Sequence, residues 1–284
     1  MGIEKQLTEE NYVDVTFRAD NKDIDNALDA FDAFIHADIN LLKHAGDYAI
    51  KGFSNGNFGY FRRITGSEEN GRSKSADSKH EYHFGSKTRQ ILESSHYSSI
   101  PLEFRSFCDN AENIYWKAVE SLRSALMSMH QEHDQRRPSP HNLTPVFLDK
   151  DSDLNLHLRF VGYENPDEDT PIARGHFDRS VFTLALAETH PGLQIGTNPD
   201  GTDLKDVIRQ AGKAKFFAGR GWEKMPHYLR DGYEYVKPAY HQVRNIGEYA
   251  VNSSGIIRHA IVMFANPLEY NTDPSPTETR PNYR

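Results

Sequence analysis

The apolar periodicity of this chain changes once, near residues 130–142, and that change limits the folds open to it. Upstream, Ile24, Leu28, Phe31, Phe34, Ile35, Ile39 and Leu42 recur at three- and four-residue steps, the spacing of one helix face. The pattern predicts a helix from Asn21 to about His44. Asp23, Asp25, Asp29 and Asp32 lie near its start, where carboxylates suit the helix dipole. A second apolar stripe, from Phe104 through Cys108 and Leu122 to Met129, predicts a longer helix from about Leu102; it reads as core rather than as a ligand box. The segment HQEHDQRRPSPHN (130–142) is polar and carries prolines. Beyond it the period drops to two. In LNLHLRFVGY (154–163), Leu154, Leu156, Leu158 and Phe160 share one face with polar partners between them, as in a half-buried strand. SVFTLALAE (180–188), PGLQIGT (191–197), AKFFAG (214–219) and IIRHAIVMFANP (256–267) read as further short strands. ENYVDVTF (10–17) alternates weakly and is a candidate early strand. Helices followed by many short strands imply an α+β chain with a mainly β core, built as a sandwich or barrel.

The same change divides the chain. Residues 1–145 read as a helical, mixed region packed on a β core at 146–270, and 271–284 form a flexible tail without periodicity. TGSEENGRSKSADSKH (65–80) reads as a surface loop. No repeat is visible. A length of 284 residues suffices for a sizeable core. The formal net charge of −8 argues against a general nucleic-acid or anionic-membrane binder. The single cysteine, Cys108, excludes an intramolecular disulfide and any Cys-built zinc or iron–sulfur site. It reads as a small buried helix residue, and the chain fits a cytoplasmic, soluble protein. No stretch reaches the ~18 apolar residues of a membrane span, and the N-terminus lacks a signal-like apolar region.

The stretch that carries chemistry is RGHFDRSVFTLALAETHPGLQI (174–195). His176 and Asp178 are two residues apart, and residues i and i+2 of a strand point the same way. One imidazole and one carboxylate aimed at one point suit a divalent first-row metal. A further histidine would complete the 2-His-1-carboxylate set of Fe(II) oxygenases, which leaves positions open for reactants. H-x-D alone is a weak signal and also fits a surface pair. His241, in KPAYHQVRN, is the favoured third ligand; His227, in the Pro- and charge-rich WEKMPHYLRDG, is its rival. Arg258 sits inside the apolar run IIRHAIVMF, where a charge is costly unless paired. Either it points into a pocket and binds a carboxylate, or it pairs with an Asp or Glu of the protein. His80, His83, His96 and the His130, His133 and His141 group read as surface or loop residues, and His190 as an exposed turn residue. No nucleophile elbow, P-loop or dinucleotide fingerprint is present.

These motifs together resemble the iron/ascorbate-dependent oxidoreductases, the isopenicillin N synthase-like 2-oxoglutarate/Fe(II) dioxygenase family. GHFDRSVFTLALAETHPGLQI resembles the family's H-x-D strand and the Gly-Leu-Gln strand after it. PAYHQV resembles the distal-histidine strand, and RHAIVMFANP the Arg-x-Ser strand ending in Asn-Pro. LRFVGY (158–163) is similar to the strand that delivers a tyrosine. GYFRR (59–63) and DSKHEYHFG (77–85) resemble its N-terminal region, where a Lys-x-x-Phe-type helix is expected. The likeness spans most of residues 10–268. It implies a double-stranded β-helix, or jelly roll, flanked by helices from the N-terminal half. It implies Fe(II) held by His176, Asp178 and His241, 2-oxoglutarate anchored by Arg258 with a hydroxyl bond from Tyr163, and ascorbate as reductant. Tyr163 is equally readable as a core tyrosine. The implied reaction couples O2 and the decarboxylation of 2-oxoglutarate to oxidation, most simply hydroxylation, of a small organic substrate. Where the family has Ser two residues after the Arg, this chain has Ala260, preceded by His259. That departure keeps open an oxidase of the same fold that uses no 2-oxoglutarate. A non-catalytic small-molecule-binding barrel is the reading from another class. Neither the substrate nor the oligomeric state is written in the sequence, though GNFGYF and GRGWEKMPHY are candidates to line or cover a pocket.

Overall fold

The computed structural model describes residues 2–36, 59–63, 78–85, 88, 101–132, 141–148, 156–164, 171–247 and 255–267. Two helices build the face that supports the main sheet. Helix α2 (Asn21–Ile35) follows the short α1 (Ile3–Glu10). It starts where the Asp20 carboxylate accepts the Asp23 amide at 2.8 Å and the Asp23 carboxylate accepts the Asp20 amide at 3.2 Å, two backbone donors satisfied reciprocally. The expected extension toward His44 stops at the cap residue His36; residues 37–50 lie outside the described set. Helix α3 (Leu102–Gln131) matches the expected stripe, with Cys108 fully buried. Asp23 also binds Lys117 and Asn113 of α3. Between the helices Phe34 and Phe107 stack with centroids 5.3 Å apart. Phe31 reaches Phe160 of the sheet at 5.6 Å. The short α4 (Thr144–Leu148) follows.

The main sheet has seven antiparallel strands in the order β1 (Val13–Thr16), β9 (Lys213–Ala218), β6 (Phe182–Glu188), β11 (Ile256–Ala265), β4 (Leu156–Glu164), β3 (Lys79–Phe84), β2 (Gly59–Arg63). A second antiparallel sheet runs β5 (Ala173–Phe177), β10 (Tyr240–Val243), β7 (Leu193–Gly196), β8 (Lys205–Asp206). One face of the large sheet packs on α2 and α3 through residues such as Leu158, Phe160, Leu184 and Phe216, all fully buried. Residues of its other face and of the small sheet line a shared pocket. This is a mostly antiparallel β protein with few helices, as the change of period implies. No helix among the described residues is long and apolar enough to cross a membrane.

Three expectations need correction. The loop expected through residue 80 gives way to strand β3 at Lys79, and the same stretch is not the Lys-x-x-Phe-type helix the resemblance implies. Pairing with β4 supplies the ladder that β4 would otherwise lack on that edge. His80 and His83 are therefore buried rather than on the surface. His80 lies 2.6 Å from the Tyr60 hydroxyl and 3.0 Å from Glu164. The expected tail at 271–284, His96 and His133 lie outside the described residues.

Candidate metal centre

His176 is the penultimate residue of β5 and Asp178 follows that strand, while His241 stands opposite His176 on β10. The pairing is close because residue 175 is glycine: a Cβ there would lie 2.1 Å from the Tyr240 hydroxyl. The chain then turns from Asp178 into β6. That turn is backed by the Gly219–Gly221 loop, where the Arg220 amide donates to the Asp178 carbonyl at 2.7 Å and the Gly221 amide to the Ser180 carbonyl at 3.0 Å. A Cβ on Gly219 would meet the Ser180 carbonyl oxygen at 2.3 Å. GRGW thus buttresses the Asp178 turn from behind. Trp222, 5.3 Å from Phe182, packs into the core.

One ligand atom from each of His176, Asp178 and His241 lies within 4.8 Å of the other two. Nε2 of His176 is 3.6 Å from one Asp178 oxygen, and Nε2 of His241 is 3.6 Å from the other. Each imidazole uses its remaining nitrogen on the backbone: Nδ1 of His176 donates to the Arg174 carbonyl at 2.8 Å and Nδ1 of His241 to the Ala239 carbonyl at 3.2 Å. That bond sets the tautomer and leaves both Nε2 lone pairs facing the carboxylate. The Thr183 hydroxyl, itself 3.0 Å from the Ser180 hydroxyl, donates to Asp178 at 2.8 Å. Burial alone would raise the Asp178 carboxyl, but His241, His176 and Thr183 together hold it far below the usual carboxylate range. Burial lowers His241, and the charge of Asp178 offsets only part of that. At His176 burial acts in the same direction, but the hydrogen bond and charge of Asp178 outweigh it and raise the group. His176 is the half-exposed member, while Asp178 and His241 are buried. Two neutral imidazole nitrogens and one carboxylate oxygen, converging and individually oriented, fit a divalent first-row cation.

The pairing registers lay the pocket face of the main sheet out in rows. The row nearest the triad is Phe217, Thr183, Phe264, His157. Next come Lys215, Ala185, Val262, Arg159, His83. Farther from the triad stand Glu188, Ala260, Val161, Glu81, and last Arg258, Tyr163, Lys79. Successive rows are about 7 Å apart, two residues of strand rise. A register shift between Ile261 and Val262 leaves Leu186 as an extra residue on β6. Such a bulge re-aims the residues beyond it, and Glu188 joins the pocket wall.

Arg258 is 3% exposed and lines the pocket, as expected of a buried charge with a purpose. Its partner is a protein carboxylate: Nη2 donates to Glu188, and Nε donates to the His190 carbonyl at 3.1 Å. Tyr163 also lines the pocket, its ring 5.6 Å from the Arg258 guanidinium. His227 stays away from the triad; it is strongly exposed and pairs with Asp231 at 2.9 Å. His259 faces the helices, 3.2 Å from Asp32 and 6.2 Å from the Phe31 ring. Sequence reading missed Thr183, Glu188, Glu81 and Arg159. The only signal for Thr183 was a lone hydroxyl in an apolar run. Arg159 was visible as a polar alternate in LHLRF, but that pattern does not say which face meets water.

No family model matches the chain, and no curated relative matches it. Solved structures do. A protein from Shewanella oneidensis, provisionally described as an oxygenase, superposes at a TM-score of 0.64 and 16% identity, over 93% of this chain and 85% of that one. A full-length Neurospora crassa protein, solved in complex with alpha-KG and thymine, gives 0.62 and 15%, covering 94% and 79%. JOX2, solved with 2OG, Fe and JA, gives 0.60 and 15%, covering 93% and 70%. With the sheets and the His–Asp–His cluster in place, the chain is seen to have the fold of the 2-oxoglutarate/Fe(II) oxygenases.

Proposed function

We propose that this protein is a non-haem Fe(II)- and 2-oxoglutarate-dependent dioxygenase that hydroxylates a small organic substrate, its two facing sheets forming a double-stranded β-helix. The observation that carries this is the convergence of His176, Asp178 and His241 in a pocket whose far wall holds a buried arginine. The pocket is concave and lined by residues of both sheets, apolar side chains with a few convergent polar groups, the usual make-up of a small-molecule site. His176, Asp178 and His241 would hold the Fe(II), and all three line the pocket. Bound there, iron supplies the O2 chemistry, and the balance is one O2, one 2-oxoglutarate and one C–H substrate to one succinate, one CO2 and one alcohol.

The protein's own groups bind, orient and exclude water. Arg258 receives the distal carboxylate of 2-oxoglutarate. Glu188 and the His190 carbonyl take Nη2 and Nε, so they fix the plane of the guanidinium and leave Nη1 for the cosubstrate. Tyr163 lies alongside as a second donor. Ala260, on the pocket wall, offers no hydroxyl where the family has serine. Val161, Val243, Leu193 and Val262 keep the wall apolar. Thr183 holds Asp178, and ascorbate would serve as the reductant. The Glu188 pair and Ala260 also support the second reading, an Fe(II) oxidase of this fold without 2-oxoglutarate.

The test is O2-dependent succinate formation from 2-oxoglutarate by protein loaded with one Fe(II) per chain. The expected result is slow succinate release without added substrate, lost in Asp178→Ala. Iron retention without succinate favours the oxidase, and failure to retain any divalent metal favours a non-catalytic barrel.

A further inference from the structure

Among the described residues, the pocket wall carries six cations, Lys79, Arg159, Arg209, Lys213, Lys215 and Arg258, against three carboxylates, Glu81, Asp178 and Glu188. Asp178 is committed to the triad. Lys215 is matched from the neighbouring strand by Asp14 and lies over the Tyr12 ring. Arg258 is matched by Glu188. Arg209 donates to the Glu188 carbonyl at 3.0 Å. Lys213 reaches the Thr16 hydroxyl only at 3.5 Å and is partly exposed. Glu81, 1% exposed, is left to serve three groups: Lys79 at 3.2 Å, Arg159 at 3.8 Å and His83 at 3.9 Å. Lys79 is the nearer, and Arg159 stands beyond hydrogen-bond distance. Its Nε is buried with no hydrogen-bond partner. Its guanidinium lies 4.5 Å from the centre of the Phe264 ring, in the row next to the triad.

We infer that the oxidised substrate is an organic carboxylate, held by Arg159, and this rests on the dioxygenase reading above. A guanidinium fork binds a carboxylate through two parallel N–H···O bonds. In this pocket such a pair supplies the hydrogen-bond partner that the buried Nε of Arg159 lacks. Arg159 and Arg258 stand two rows apart on the sheet, so the two anion positions are distinct. The 2-oxo acid occupies the line from the metal to Arg258. The substrate carboxylate sits to the side of that line at β4, and its carbon skeleton lies on Phe264, Val262 and Phe217. These walls are apolar, and Phe217 is itself 5.2 Å from the His241 ring, which brings a C–H bond of the skeleton to the metal. Lys215, across the row, is occupied by Asp14 and gives the anion no equal second position.

The probes are matched pairs that differ in charge alone: phenylacetate and phenylacetamide, hexanoate and hexanamide. Each is titrated by calorimetry into anaerobic Fe(II) protein saturated with 2-oxoglutarate. Wild type is expected to bind at least one acid about tenfold more tightly than its amide, a difference of about 1.4 kcal/mol. Arg159→Gln abolishes that preference, while 2-oxoglutarate binding to the iron form changes less than about threefold; Arg159→Lys, which keeps the charge, retains part of the preference. Equal binding of acid and amide, no binding of any acid, or a preference unchanged in Arg159→Gln overturns the inference and leaves the dioxygenase reading intact. Loss of 2-oxoglutarate binding in Arg159→Gln also overturns it, by making Arg159 the cosubstrate's anchor. If wild type binds neither iron nor 2-oxoglutarate, both readings fall.

Discussion

The two faces of the seven-stranded sheet are made by the same strands and have opposite characters. Along β4, Leu156, Leu158 and Phe160 face the helices and are fully buried. The alternating His157, Arg159, Val161 and Tyr163 form rows with the charged and apolar groups of the pocket. The helix face is closed by aromatic packing of Phe31, Phe34, Phe107 and Phe160. The pocket face carries charged groups, Arg258 and Lys215 paired within the protein and the Arg159 Nε not hydrogen-bonded, together with a His–Asp–His cluster. A polar alternate on a strand therefore marks solvent only where no second sheet covers that face. One face holds the fold and the other lines the candidate site, which makes their mutations separable.

The largest effect is expected at the triad. Asp178→Ala removes the shared carboxylate, leaving two imidazoles; stoichiometric iron retention is lost by metal analysis, with little change in the melting temperature of the metal-free protein. On the opposite face, Phe160→Ala is expected to cost about 3–5 kcal/mol of stability in chemical denaturation, while the surviving folded fraction still binds iron. If Phe160→Ala instead abolishes iron binding at full stability, the separation of the faces fails. Arg258→Ala sharpens the pocket side: 2-oxoglutarate binding weakens by about 10- to 100-fold, the worth of one charged hydrogen-bonding partner, with iron affinity kept. A purely structural Arg258 would lower stability and leave cosubstrate binding unchanged. The smallest expected change on the pocket side is Thr183→Val, which keeps the shape of the side chain and removes its bond to Asp178. Iron affinity falls by about tenfold, typical of a group that orients a ligand; an unchanged affinity would show that the Asp178 turn holds itself.

Much of this was legible in the sequence. One residue separates His176 from Asp178, and strand geometry aims such a pair together. Arg258 announced itself as a charge inside an apolar run, and it is buried on the pocket wall as that position implied. His241 was preferred to the rival His227, and the two indeed fall in opposite places, one in the triad and one exposed on a short helix. The stripes of α2 and α3 carry the 3.6 period and need no tertiary information. Other features depend on what covers a face or pairs with an edge. Arg159 is a polar alternate of a strand whose pocket face is covered, which alternation alone does not reveal, and Glu81 lies in a stretch where the sequence predicts no strand. His80 and His83 were assigned to the surface because β3 gains its burial from β4, more than 70 residues away in the chain. Glu188 reaches the pocket through a register shift that only the β11 partner reveals. The same pairing shows that Arg258 already has a protein carboxylate, an option its sequence context left open.

The central claim is tested most directly by titrating the anaerobic Fe(II) protein with 2-oxoglutarate and recording its visible absorption. A 2-oxo acid chelating Fe(II) in this ligand set gives a metal-to-ligand charge-transfer band. The account predicts that the band forms at one 2-oxoglutarate per chain, disappears in His241→Ala and persists in His227→Ala. A band that survives in His241→Ala, or iron that does not bind to the wild-type protein, would contradict it.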